Sequence, residues 1–179
     1  FPEIQNIFWR NSELNFNSKS SLIKSLDERP NKNWLRRINE CEDEKTLKYL
    51  LKEITEIDVK DNSKDLKILW ECCQIPDFVK KNYGHHVELV KKIFNFLIQK
   101  TNKIPNHYMK EQLSILDKLE GNVDSLSNRI SNVRTWSYVA NKANWVENQD
   151  YWIERTKNLE DKLSDRLHEE LTRTFIDKR

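Results

Sequence analysis

LKILWECCQIPDFVKKNYGHHVELVKKIFNFLI, residues 66–98, is the one long stretch in which apolar residues dominate, and its periodicity decides the fold class. Leu66, Leu69, Trp70 and Cys73 recur at i, i+3, i+4 and i+7, which lines one face of an α-helix. Pro76 removes a backbone donor and disfavours a helical Ile75, so that helix should stop there, with Asp77 free to cap the next one. Val87, Val90, Phe94, Leu97 and Ile98 then resume a helical stripe, which Leu89, Ile93 and Phe96 widen beyond one face. A helix apolar on more than one side packs against several neighbours. The two helices, with a kink at Ile75-Pro76, are therefore expected to form the hub of the fold.

Working outward, the rest of the chain also reads as helical. Two glycines and four prolines leave little turn chemistry for hairpins, and no segment alternates apolar with polar residues. Toward the N-terminus, Leu47, Leu50, Leu51 and Ile54 keep helical spacing, and Ser20 or Ser21 can cap a short helix carrying Leu22, Ile23 and Leu26. Residues 1–18 read as an extended arm, too apolar at Ile4, Ile7, Phe8, Trp9, Leu14 and Phe16 for a free tail. Toward the C-terminus, Pro105 suits a first helical turn, Tyr108, Met109, Leu113, Leu116 and Leu119 form a stripe, and Gly121 stands where a left-handed cap would close it. Val123, Leu126, Ile130, Val133 and Ala140 give a heptad-like seam. After a break at residues 141–148, Leu159, Leu163, Leu167, Leu171 and Phe175 recur every four residues. Each such step drifts the stripe by about 40° around a helix, so one parallel partner cannot bury all five. The expectation is an all-α, irregular multi-helix bundle: an extended arm over 1–18, then a helical domain over 19–179.

The 179 residues carry a net charge of only +2, which excludes a global field toward nucleic acid or anionic lipid. Local excess exists. Lys80, Lys81, Lys91, Lys92, Lys100 and Lys103 stand against Glu88 alone, a pattern that serves phosphate or simply a solvated helix face. The odd cysteine count, with Cys72 and Cys73 adjacent beside Cys41, is no disulfide framework and suggests a reducing compartment. Cys72 and Cys73 point about 100° apart on a helix and do not easily share a metal. No apolar run approaches the roughly 20 residues of a membrane span. The chain opens on Phe1 without a signal-peptide pattern, as a piece of a longer polypeptide would.

With glycine only at 84 and 121, no phosphate-cradling loop can be written, and the histidines make no familiar zinc spacing with the cysteines. Asp161, Asp165 and Glu169 share one helix face, but Lys157, Lys162, Arg166 and Arg173 are interleaved, which reads as a salt-bridged solvent surface. One cluster offers both cations and flat rings: Trp136, Trp145 and Trp152 with Tyr138 and Tyr151, near Arg134, Lys142 and Arg155. Such a set stacks bases and grips phosphates in single-strand binders, and equally it wedges the break between two helices. The expected contact residues are Arg134, Trp136, Lys142 and Arg155, with Lys80 and Lys81 as a second patch.

Three stretches carry a resemblance: NIFWRNSELNF (Asn6–Phe16), LWECCQIPDF (Leu69–Phe78), and RTWSYVANKANW (Arg134–Trp145) with LEDKLSDRLHEELTRTFIDKR (Leu159–Arg179) after it. Together they resemble helicases of the mitochondrial-degradosome type, closest to their bacterial relatives, in the segment after the second RecA-like domain. Residues 32–64 and 79–120 match only loosely, and Val79 stands where the family often has arginine. The resemblance implies a superfamily-two helicase acting on RNA, with ATP and Mg bound upstream of Phe1 by the parent's RecA-like domains and no cofactor in this segment. It further implies a cytoplasmic protein, single-stranded RNA or DNA as ligand, and RNA-degradation proteins as partners. A structural or protein-docking bundle without nucleic-acid contact is the alternative.

Overall fold

The computed structural model describes residues 7–30, 35–37, 40–53, 63–80 and 82–177. Among them the architecture is all-α: seven helices and two three-residue strands. The expectations for Ile4, Ile54 and Lys81 fall outside the described residues. No helix among the described residues is long and apolar enough to cross a membrane. The chain divides into two compact units, Phe1–Gln74 and Ile75–Arg179. The boundary lies between Gln74 and Ile75, one residue before Pro76. The two helices expected to form one hub therefore belong to different units, because the chain stops being helical where Pro76 denies the donor.

In the first unit, β1 (Ile7–Trp9) pairs in parallel with β2 (Leu35–Arg37), Phe8 opposite Arg36. Parallel neighbours need a crossover, and α1 (Lys19–Leu26) lies in it. The cap of α1 is Ser18, whose hydroxyl accepts from the Ser21 N–H, rather than Ser20 or Ser21. α1 packs on α2 (Glu42–Glu53), and α2 on α3 (Ser63–Cys73). Leu22, Leu26, Leu47, Leu50, Leu66, Leu69, Trp70, Cys72 and Cys73 are buried, and the helical periodicities account for all of them but Cys72. Residues 10–18 are irregular but pinned. Arg10 bonds both carboxylate oxygens of Asp43 at 2.8 and 3.0 Å, reaches the buried Glu44 at 3.5 Å, and lies 5.4 Å over the Trp70 ring. Asn11 donates to the Ser25 carbonyl at 3.0 Å.

The second unit holds four helices: α4 (Tyr83–Ile98), α5 (Asn106–Leu116), α6 (Val123–Asn141) and α7 (Gln149–Asp177). Asn82, not Asp77, caps α4; its Oδ1 accepts from the His85 N–H, while Asp77 closes a turn onto the Lys80 N–H. α5 ends at Leu116, short of Leu119, which is exposed. Gly121, at φ +125°, consequently belongs to the entry of α6 rather than to the exit of α5. Arg129 braces that loop by donating to the carbonyls of Lys118 and Glu120. α6 packs against both α5 and α7, burying the expected seam residues Leu126, Ile130, Val133 and Ala140 together with Trp136 and Val139. The four-residue stripe of α7 behaves as its drift requires. Leu159 and Leu163 are fully buried, Leu167 is half-buried, and Leu171 and Phe175 are exposed.

Candidate nucleic-acid interface

The break between α6 and α7 is filled by its own tryptophans. Trp136, Trp145 and Trp152 are only 3%, 5% and 4% exposed. Trp152 Nε1 donates to Asn106 Oδ1 at 2.9 Å, and the Ile104 N–H donates to the Trp145 carbonyl at 2.8 Å, tying the entry of α5 to the break. Trp136 meets Tyr108 edge-on, with ring centroids 5.7 Å apart. No base can stack on a ring so covered. The expected stacking role of Trp136 is therefore corrected to that of a buried packing residue against Tyr108.

The cations expected beside these rings are engaged as well. Arg134 Nε pairs with Glu160 at 2.9 Å, and Arg155 pairs with Asp117 at 3.0 Å. Lys142 lies 5.5 Å over Tyr138 and 5.6 Å over Trp145. Arg134 and Arg155 thus carry carboxylate partners that offset their charge. Lys80 is exposed in a positive-φ turn, and Lys81 lies outside the described residues.

Asp117 also receives Lys162 at 2.6 Å. The hydrogen bond from Lys162, then that from Arg155, outweighs desolvation and holds the Asp117 carboxyl below its ordinary value of 3.8. A carboxylate with a depressed folded-state pKa stabilises the fold above its ordinary value, and that stability is lost as pH falls through the folded value. Asp117→Asn should accordingly cost about 1 kcal/mol at neutral pH, the upper end for a part-exposed pair. The difference from the parent chain should vanish well below 3.8 in denaturant titrations. A difference that stays constant on acidification would contradict the ion-pair assignment.

What the sequence did not disclose is a groove of about 480 Å³ walled by α4, α5 and α6. Its residues follow from helical periodicity on three separate elements. His85, Glu88, Lys92 and Asn95 form one row of α4 with Leu89 and Lys91 beside it; Tyr108 and Gln112 stand one turn apart on α5; and Asn132, Thr135 and Trp136 share a face of α6. Lys92 Nζ lies 4.8 Å over the Tyr108 ring, which is also 4.8 Å from Phe96. Burial, with the charge of Glu111, pushes the Tyr108 hydroxyl's pKa up, keeping it a protonated donor. Trp136, expected with Arg134 and Lys142, thus borders Lys91 and Lys92 of the lysine-rich run. The signal was present as polar rows on three helices, but only tertiary packing shows that the rows meet.

A second groove, of about 750 Å³, lies where α5 and α7 begin, with the exposed Tyr151 ring, His107 and Lys110 on its walls. Asp150 lines it too and offsets Lys110. As for metals, Cys73 is buried and its thiol's pKa is pushed up by that burial, then by the charge of Asp43. Cys41, Asp43 and Glu44 bring ligand atoms within 4.8 Å of one another, but the Arg10 guanidinium already supplies the positive charge there. Set against known proteins, the chain finds no counterpart: no family model, no curated protein and no solved structure matches it.

Proposed function

We propose that this chain is the helical accessory segment of an ATP-dependent helicase of the kind its sequence resembles, and that it holds single-stranded nucleic acid in the α4–α5–α6 groove. The observation that carries the reading is the convergence of Lys91, Lys92 and His85 with three amide side chains in one groove, opposed by the single acid Glu88. A strand needs fixed cations for its phosphates and polar or flat partners for its bases. The role is positional. The RecA-like domains of the parent would bind ATP and Mg, cycle and move the strand, while this segment keeps it in register. The cytoplasm and RNA-degradation partners belong to the same reading.

The purely docking alternative draws on the ion-paired Arg134 and Arg155, and on a groove between α1 and α2 where Lys19, Lys24, Lys48 and Lys52 rim Ile23 and Leu51. A salt titration separates the two. Binding of single-stranded oligonucleotides should weaken with salt, log K falling by about 0.7 for each phosphate neutralised. Absence of any saturable binding at low salt would leave the docking reading standing.

A further inference from the structure

Lysines hold phosphates without regard to sequence, so the cations of the α4–α5–α6 groove do not explain its amides. Each wall contributes one: Asn95 from α4, Gln112 from α5 and Asn132 from α6, all half-buried. Asn132, which lines the groove, donates from Nδ2 to the Asn128 carbonyl at 2.9 Å, which leaves its Oδ1 as an acceptor. No described residue pairs with the side-chain amides of Asn95 or Gln112. Both amides line the same groove and are open to a ligand within it. Thr135 is otherwise engaged, donating to the Ser131 carbonyl at 3.3 Å.

A primary amide presents a donor and an acceptor side by side. Two of them facing a common space match a base that shows a donor–acceptor pair on both of its edges. Adenine does so. Its exocyclic amine carries two hydrogens, with ring nitrogens N1 and N7 accepting on either side. The Hoogsteen edge of guanine, by contrast, shows only acceptors, and cytosine and uracil have a carbon-bound hydrogen beside their single paired edge. Leu89 adds an apolar contact for the ring, and 480 Å³ falls within the roughly 300–1,000 Å³ of small-ligand sites.

We infer that the groove reads one unstacked adenine of a single strand, clamped between Asn95 and Gln112, with Lys91 and Lys92 on the adjoining phosphates. The inference rests on the strand-holding role proposed above and adds a base preference to it.

The test measures binding of equal-length oligo-A, oligo-U and oligo-C to the 179-residue chain by fluorescence anisotropy at one salt concentration. Oligo-A should bind about tenfold tighter, the order expected of a good bidentate base contact. Gln112→Met, and independently Asn95→Leu, should abolish the preference for oligo-A over oligo-U. Lys92→Ala should weaken all three alike. Equal binding of the three oligomers, or an adenine preference that survives both amide substitutions, overturns the base-reading inference while the strand-holding role stands. Binding of none of them overturns that role, and the inference with it. Displacement of oligo-A by an equal concentration of adenosine monophosphate would make the groove a mononucleotide site and overturn its assignment to a strand.

Discussion

Trp136→Ala is expected to destabilise the unit Ile75–Arg179 by roughly 3–5 kcal/mol, the range for emptying a buried aromatic site. The indole is 3% exposed, sits on the α6 face that also buries Val133 and Val139, and meets Tyr108 edge-on. Alanine would leave a cavity beneath the groove, where Trp136 meets the Tyr108 ring. Trp136→Phe should recover part of the loss. A loss under about 1 kcal/mol would mean that the ring is peripheral, and would reopen its reading as a stacking surface.

Trp70→Ala should cost a similar amount, roughly 3–5 kcal/mol, in the unit Phe1–Gln74. Trp70 is 7% exposed on α3, and its ring carries the Arg10 guanidinium at 5.4 Å. Removing the ring takes away buried apolar packing from the unit's core. It also takes away the surface on which Arg10 is held while it bonds Asp43 and Glu44, so the irregular segment before α1 should loosen with it. Because the chain has two compact units, a single unfolding midpoint is an unsafe reading. Native-state hydrogen exchange resolves the matter: protection should fall in α2 and α3 for Trp70→Ala and in α5–α7 for Trp136→Ala. Loss of protection in the same helices for both variants would contradict this assignment of the two cores.

The helices were legible because burial imposes a period. Leu47, Leu50 and Leu51, then Val87, Val90 and Phe94, then Leu126, Ile130 and Val133 could each be placed on an inner face from spacing alone. The drift of the α7 stripe was legible for the same reason. The strands were not, because three residues are too few to show an alternation. The unit boundary was half visible: Pro76 announced the end of a helix, but not that the two sides would pack separately.

The candidate site divides in the same way. Lys91 and Lys92 lay in the run marked for its charge, and Trp136 in the cluster marked for its rings, yet nothing local said that they meet. The partners that quiet Arg134 and Arg155 are 26 and 38 residues away, beyond any spacing rule. Asn95, Gln112 and Asn132 carry no signal of their own in a chain so rich in polar residues. They acquire one only when three helices bring them to a common groove.

The central claim, that a strand lies in the α4–α5–α6 groove and not along the α6–α7 break, is tested most directly by comparing salt slopes. Single-strand affinity would be measured across a salt series for the parent chain, Lys92→Ala and Arg134→Ala. The account predicts that Lys92→Ala flattens the log K against log salt slope by about 0.7, one phosphate contact on a single strand. Arg134→Ala, whose guanidinium is already paired with Glu160, should leave the slope unchanged. A flattened slope for Arg134→Ala with an unchanged slope for Lys92→Ala would place the strand at the break and contradict the account.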